Sequence, residues 1–209
     1  MTNQRFLMIK RGITVGLPIM FGYLPIAIAY GVLAKQSGMT LVELTLMSVL
    51  VYAGASQLMA TNMIAVGTGA IEIIVATFVL NFRHFIMSLS FMNQMRQIPL
   101  EYKFPLSFGL TDESFAVSSL NKEKAKHYYG VFFYLALFIT AYLSWIAGSL
   151  LGGVFGEIIP HRLSQSMGIA LYAMFIGLLI PSVKKEVKIA CIAIVAMLVN
   201  TICSQFMSE

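Results

Sequence analysis

Charged residues are scarce in this sequence and are confined to short clusters. Only 11% of the 209 residues are Asp, Glu, Lys or Arg, whereas 58% are hydrophobic. Five stretches carry no such charge at all: residues 12–34, 44–71, 127–156, 163–183 and 189–208. Each is at least as long as the roughly 20 residues that cross the hydrocarbon core of a bilayer as a helix. The composition therefore excludes an ordinary soluble domain and predicts an all-α, polytopic membrane protein.

Cysteine and histidine are also rare, with two and three residues respectively. Cys191 and Cys203 fall in one apolar stretch, roughly 18 Å apart on a single helix, so they cannot pair with each other there. No CxxC, HExxH or phosphate-loop motif is present. We expect no metal, no cofactor and no catalytic centre of the soluble kind. The one enzymatic alternative is an intramembrane hydrolase with Ser56 as nucleophile and His84 as base, although Gln57 stands where a glycine is expected.

The apolar stretches predict about seven membrane-spanning segments in a single domain covering residues 1–209. The first is too long for the apolar region of a signal peptide, so we expect an uncleaved first helix. Residues 46–53 resemble residues 166–173, which suggests a weak internal repeat. The segments are placed at residues 12–34, 44–66, 71–92, 104–120, 129–151, 163–180 and 189–206.

Proline and small residues interrupt the first segment. Pro18 and Pro25 each disturb the helical hydrogen bond to the carbonyl four residues earlier. This pattern fits either a broken helix that builds a binding site or a simple kink used for packing. Small-residue pairs, which let another helix approach closely, could also receive a partner subunit. They are Gly12/Gly16, Ala27/Gly31 and Gly148/Gly152.

A polar stripe runs along the second segment, where hydroxyl side chains recur at three- and four-residue spacing on one predicted helix. Such a stripe faces other helices or a pore rather than lipid. Gln57 lies beside it and has several hydrogen-bonding groups to satisfy. The stripe consists of Thr45, Ser48, Tyr52 and Ser56.

Asn81, Arg83 and His84 form a polar group near the middle of the third apolar segment. An ionisable residue at this depth is costly, so it indicates a functional site by default. The alternative is that the stretch consists of two short segments with Arg83 in an interfacial loop. A cation inside a polytopic protein favours a transporter of something with a negative end.

Asp112 and Glu113 lie at the centre of the fourth segment, between two largely apolar flanks. Two adjacent acids there fit a broken or re-entrant helix that lines a cavity. They also fit a surface turn in which Asp112 caps a short interfacial helix.

Lys and Arg are distributed unequally between alternate loops, which sets the orientation of a membrane protein. We predict a cytoplasmic N-terminus, because the inner side then holds nine basic residues and the outer side four. Basic residues that flank apolar segments in this way give no reason to expect a nucleic-acid partner. The inner residues are Arg5, Lys10, Arg11, Lys122, Lys124, Lys126, Lys184, Lys185 and Lys188, and the outer ones Lys35, Arg96, Lys103 and Arg162.

Four motifs together resemble the AzlC-type family, the large subunits of two-component branched-chain amino acid exporters. The resemblance implies an inner-membrane exporter of a prokaryote, working with a small hydrophobic AzlD-type subunit. It implies leucine, isoleucine, valine and sometimes methionine as substrates, moved with the proton gradient. The motifs are Gly22-Tyr23-Leu24-Pro25, residues 52–57 (Tyr-Ala-Gly-Ala-Ser-Gln), Asn81-Phe82-Arg83-His84 and Thr111-Asp112-Glu113-Ser114.

An apolar zwitterion requires a cation for its carboxylate and an acceptor for its ammonium. We expect Arg83 to bind the carboxylate in bidentate geometry. Asp112 or Glu113, with carbonyls freed by Pro25, would bind the ammonium. The same acids, or His84, would carry protons, since burial favours a neutral carboxyl group and His titrates near neutrality. The motif positions Tyr23, Tyr52, Gln57 and Asn81 complete the expected binding set. The alternative to an exporter is a membrane scaffold that transports nothing.

Overall fold

The structure is a computed structural model that describes residues 2–96, 98–126, 128–156 and 187–207, and the single positions 158, 176, 180 and 183. It divides into two compact units, Met1–Ala170 and Leu171–Glu209. No strand occurs among the described residues, which confirms the helical fold class. The helices are α1 (Thr2–Gln36), α2 (Leu41–Leu50), α3 (Gly54–Ala65), α4 (Ala70–Gln94), α5 (Leu100–Phe108), α6 (Asp112–Leu120), α7 (Gly130–Phe155) and α8 (Val187–Met207), with a 3-10 turn at Lys122–Lys126.

Helices α1 and α7 pack against each other in parallel along most of their length. Near one end, a Cβ on Gly12 would meet the Phe133 carbonyl oxygen. Near the other end, a Cβ on Gly31 would meet the Ser149 carbonyl oxygen, and one on Gly152 would meet that of Ile28. The small-residue pairs therefore admit a close helix neighbour, as expected. Their interpretation as a surface for a separate subunit is wrong, because α1 and α7 fill each other's small positions.

The helix α1 continues through Pro18 and Pro25 without interruption. Of the two alternatives for these prolines, the broken helix is therefore wrong, and both prolines lie within one continuous helix. Neighbouring helices and local adjustments allow proline inside membrane helices. Both side chains are exposed.

The second predicted segment is not one helix, because the chain leaves the helix between α2 and α3. Tyr52 has φ of +44°, which is uncommon for a residue other than glycine. The Ala53 amide, at the start of α3, donates a hydrogen bond to the Gln57 side chain at 3.2 Å. The Val49 carbonyl, near the end of α2, accepts from the Tyr142 hydroxyl at 2.8 Å. Side chains distant in sequence thus satisfy the backbone groups at this first break.

The fourth predicted segment also contains a break, between α5 and α6 at Gly109–Thr111. Thr111 is the N-cap of α6 and forms a capping box with Ser114, which satisfies two amide groups at the helix start. The alternative in which Asp112 is the cap is therefore wrong, since Asp112 is already in the helix. Thr111 and Ser114 are both buried. The broken-helix alternative describes this region.

Helix α4 is continuous and peripheral. It runs unbroken through Asn81, Arg83 and His84, so the alternative that places Arg83 in an interfacial loop is wrong. None of the residues in its most apolar window is buried, whereas about half are in α1 and α7. These three helices are long and apolar enough to cross a membrane.

The second unit is described mainly by α8, which coincides with the seventh predicted segment. The sixth predicted segment, at residues 163–180, and the second copy of the weak repeat, at residues 166–173, lie outside the described residues apart from single positions. The count of seven segments and the single-domain assignment stay predictions. Cys191 on α8 is exposed and unpaired.

Candidate functional site

A cavity of about 200 Å³ lies where the two helix breaks meet α4. This is small beside the roughly 300–1,000 Å³ typical of sites for drug-sized ligands, so it suits one small molecule. Interrupted helices at membrane depth are found where backbone lines a cavity or a ligand site. Three lining residues come from the first break, two from α4 and three from the end of α5 and the second break: Val51, Tyr52, Ala53, Asn81, His84, Ser107, Phe108 and Leu110.

Two oxygen atoms of the cavity-lining residues are buried without a hydrogen-bond partner in the described structure. They are the Tyr52 hydroxyl and Asn81 Oδ1. Tyr52 as a whole is only 4% exposed. An unsatisfied buried polar group costs about 1–3 kcal/mol, and its presence in a folded protein calls for an explanation. Because both oxygens belong to residues that line the cavity, they are candidates to accept a hydrogen bond from a ligand there.

Arg83 on α4 forms an ion pair with Asp112 in the first turn of α6. Arg83 Nη1 and Asp112 Oδ2 are 2.9 Å apart, and each side chain is about one-third exposed (32% and 30%). The counter-charge that an intramembrane arginine requires is thus supplied across the second break. This pair joins a peripheral helix to an interrupted one.

The second acid, Glu113, faces α1. The Tyr23 hydroxyl donates to the Glu113 carboxylate and lies 2.6 Å from Thr111 Oγ1. Tyr23 is buried, and its ring meets the edge of Trp145 with centroids 5.5 Å apart. Tyr23 therefore fixes the N-terminus of α6 to the tightly packed pair of α1 and α7.

Gln57 on α3 is fully buried and is held by three groups of the protein. Its Oε1 accepts from Trp145 Nε1 at 3.0 Å and from the Ala53 amide at 3.2 Å. Its Nε2 donates to Ser48 Oγ at 3.1 Å, and Ser48 in turn donates to Ser149 at 2.8 Å. Gln57 is thus directed at the backbone of the first break and is absent from the cavity lining.

The structure brings most of the predicted site residues together. Tyr52, Asn81 and His84 line the cavity. Arg83 on α4 and Asp112 on α6 are within two residues of lining residues in the sequence, although neither is in the lining itself. Pro25 is exposed on α1 and is not among the lining residues. The polar stripe of the second segment does face other helices, since its members Ser48 and Ser56 are fully buried.

The arrangement required for an intramembrane hydrolase is not formed among the described residues. The Ser56 hydroxyl donates to the Ala53 carbonyl at 2.9 Å, and no described hydrogen bond joins it to His84. Within the same residues, no group of three His, Cys, Asp or Glu side chains is placed to hold a metal ion.

Sequence reasoning missed Trp145 and the end of α5. Trp145 is buried between Tyr23 and Tyr30 and donates to Gln57. A lone tryptophan inside an apolar stretch is a usable signal, because a buried indole N–H needs an acceptor. Ser107 and Phe108 line the cavity just before the turn at Gly109, where a Cβ would meet Phe138 Cβ at 3.1 Å and a ring carbon at 3.2 Å.

The chain is similar to known membrane proteins. The model of the AzlC protein family matches residues 18–159. An uncharacterized membrane protein of Archaeoglobus fulgidus is 32% identical over 179 residues, which are 85% of this chain and 77% of that protein. The branched-chain amino acid transport protein AzlC of Bacillus subtilis is 27% identical over 172 residues, 82% of this chain and 66% of that protein.

The inner membrane protein YgaZ of Escherichia coli is 27% identical over 174 residues, 81% of this chain and 71% of that protein. No solved structure matches the chain.

Proposed function

This chain belongs to the AzlC family, and we propose on that basis that it exports branched-chain amino acids through the cavity between the two helix breaks. The substrates are leucine, isoleucine and valine, with methionine as a further candidate. The chain works in the inner membrane of a prokaryote, with its N-terminus in the cytoplasm and an AzlD-type small subunit as its partner. The proposal draws on the transport name of the Bacillus relative.

The observation that carries the proposal is the pair of unpartnered oxygens beside the cavity. The Tyr52 hydroxyl and Asn81 Oδ1 are both able to accept from an ammonium group. The Arg83–Asp112 pair lies close in sequence to the lining residues and presents one charge of each sign. A zwitterion that enters the cavity meets acceptors for its ammonium and a guanidinium for its carboxylate.

Proton coupling follows from competition for one carboxylate. When Asp112 binds the substrate ammonium it must be ionised, so a proton and the substrate exclude each other there. Ligands that bind alternately at one group are carried in opposite directions, and protons that enter drive the substrate out. Glu113, held by the neutral Tyr23 hydroxyl, is the second candidate, because it can change protonation state without breaking the Arg83–Asp112 pair. His84, which lines the cavity, is the third.

Gln57 and Tyr23 act through other residues in this proposal. Gln57 positions the first break by bonding the Ala53 amide, and Tyr23 positions the start of α6. Direct contact with the substrate is assigned to Tyr52, Asn81 and the Arg83–Asp112 pair. Pro25 has no assigned contact, since it is exposed on α1.

The test is efflux of labelled leucine from proteoliposomes that contain this chain with its small subunit. Arg83→Lys keeps the charge but loses the planar fork, so we expect efflux to fall by about tenfold or more. Asp112→Asn should abolish the response to a proton gradient while exchange of internal for external leucine continues. Glu113→Gln is measured in parallel to decide which acid couples.

Matched controls are available on exposed positions. Arg96→Lys changes an exposed arginine that hydrogen-bonds only Asn93 among the described residues, and Glu101→Gln changes an exposed acid on α5. Both should export at the parental rate. Parental efflux from Arg83→Lys, Asp112→Asn and Glu113→Gln together would refute the site and favour a scaffold role.

A further inference from the structure

A second cavity, of about 430 Å³, lies at the end of the first unit that contains the start of α1. Three cationic side chains converge on it, two from α1 and one from the 3-10 turn. Its lining is Leu7, Lys10, Arg11, Thr14, Val15, Asn121, Lys124 and Phe133. None of these residues belongs to the transport site described above.

The neutral polar groups of this basic cavity are already satisfied by the protein. The Thr14 hydroxyl donates to the Lys10 carbonyl at 2.9 Å, and the Asn121 amide donates to the Val117 carbonyl at 2.9 Å. No ion pair with Lys10, Arg11 or Lys124 occurs in the described part of the chain. The cavity is therefore a concave site lined by three positive charges that no described acid pairs with.

The other wall of the basic cavity is apolar, formed by Leu7, Val15 and Phe133. Aromatic residues mark the same end of the unit as the level of the lipid headgroups, where Tyr and Trp concentrate in membrane proteins. Tyr128 is 88% exposed there, and the Arg5 guanidinium lies over the rings of Tyr129 and Phe132. A ligand that fits has a negative head and an apolar body at the interface.

We propose that the basic cavity binds the phosphate of an anionic phospholipid, with the acyl chain against Leu7, Val15 and Phe133. Lys10, Arg11 and Lys124 hold the phosphate, in the manner of basic pockets between membrane helices that receive lipid headgroups. The bound lipid joins the start of α1 to the turn before α7. The proposal does not depend on the transported substrate.

The test measures lipid retention by native mass spectrometry of the purified full chain. The chain is titrated with phosphatidylglycerol and, separately, with zwitterionic phosphatidylcholine. We expect phosphatidylglycerol to bind about tenfold more tightly or better, because each basic residue adds to the attraction of an anionic headgroup. Lys10→Gln/Arg11→Gln/Lys124→Gln should abolish that preference.

Two further variants make the result specific. Lys103→Gln/Lys122→Gln/Lys188→Gln removes the same charge from residues outside the lining and should keep the preference. Lys10→Arg/Lys124→Arg retains the positive charge and should also keep it, which separates lost charge from misfolding.

Equal retention of the two lipids by the parental chain would overturn the proposal, and so would an unchanged preference in the triple-glutamine variant. Soluble glycerol phosphate that binds as tightly as the lipid would overturn the lipid assignment in favour of a free-anion site.

Discussion

Tyr52 and Tyr142 meet edge to face with ring centroids 4.8 Å apart, yet only one of their hydroxyl groups has a hydrogen-bond partner in the described structure. The Tyr142 hydroxyl donates to the Val49 carbonyl at 2.8 Å, whereas the Tyr52 hydroxyl has no partner in the described structure. The two residues therefore provide an internal comparison between a structural hydroxyl and one that is open to a ligand.

We predict that Tyr52→Phe and Tyr142→Phe have opposite effects. Tyr52→Phe removes an unsatisfied polar atom, so the protein should be as stable as the parent or more stable by about 1 kcal/mol, while its affinity for leucine falls. Tyr142→Phe leaves the Val49 carbonyl unsatisfied and should destabilise by about 1–3 kcal/mol. Thermal unfolding in detergent and leucine binding measure the two effects. Lower stability of Tyr52→Phe with unchanged binding would contradict the assignment.

Gln57 shows how one side chain supports a helix break. We predict that Gln57→Ala lowers the unfolding free energy by about 3 kcal/mol or more, because it leaves Trp145 Nε1 and the Ala53 amide without acceptors. Trp145 is the only tryptophan of the chain, so its fluorescence reports both unfolding and the loss of this contact. Asn93→Ala, at an exposed position, is the control that should unfold as the parent does. Unchanged unfolding of Gln57→Ala would show that the break does not depend on it.

At the scale of the helices, glycine contacts between α1 and α7 are open to a direct test. A Cβ at Gly152 would meet the Ile28 carbonyl oxygen, whereas a Cβ at Gly22 would meet nothing within 4 Å. We predict that Gly152→Val destabilises by about 1–3 kcal/mol or more through overpacking. Gly22→Ala, in the same pair of helices, should stabilise by roughly 0.5–1 kcal/mol. Unfolding midpoints in detergent measure both, and equal midpoints would contradict the close contact.

The long helices could be predicted from hydropathy, while the breaks could not. Uncharged stretches give the approximate course of α1 and α7, and a mainly apolar stretch around Arg83 gives that of α4, because burial in lipid requires a run of apolar residues. The break at Tyr52 is invisible to that argument, since it lies inside one uncharged run, residues 44–71. It is held by Gln57 and by Tyr142, and the latter is 90 positions further along the chain. Gly109 and the Thr111-to-Ser114 cap gave a local signal for the second break, because they are residue types that end and begin helices.

The candidate site was partly accessible from sequence for a similar reason. Arg83, Asp112 and Asn81 stand out because charged and amide groups are rare at membrane depth. The ion pair between Arg83 on α4 and Asp112 on α6 could be predicted from charge complementarity alone. The distinction between Tyr52, which lines the cavity, and Gln57, which supports its wall, depends on the backbone turn between them and required the structure.

At the scale of the whole molecule, the two basic clusters near residues 10 and 124 lie at the same end of the first unit. Lys10 and Lys124 line one cavity, and α1 and α7 run parallel from that end. The four segments predicted between the two basic clusters, an even number of crossings, also place both clusters on one side, which agrees with the orientation that we predict. A reporter inserted at Lys122–Lys126 should be cytoplasmic, because the basic residues favour that side. A reporter fused after Glu209 should be external, and a cytoplasmic one would show that a segment was miscounted.

The partner requirement is a separate prediction for the assembled protein. The small-residue pairs no longer support it, since those of α1 and α7 pack against each other. The apolar window of α4 has no buried residue, and large side chains such as Phe78 and Phe82 remain exposed. We predict that the purified single chain exports leucine poorly and that an AzlD-type subunit restores efflux. Full export by the chain alone, in the same proteoliposome assay, would contradict this.

The backbone contact between α1 and α7 has a mechanical consequence for transport. Where Gly31 meets the Ser149 carbonyl and Gly152 meets that of Ile28, no compliant side chain lies between the helices to permit sliding. Packed interfaces of this kind switch between discrete states rather than deform continuously. The close backbone contact makes α1 and α7 the fixed pair within the first unit, and on the proposed function we expect the cavity to open by displacement of α4 against this pair. The Arg83–Asp112 pair joins α4 to α6, so we expect this ion pair to break and form again in each transport cycle.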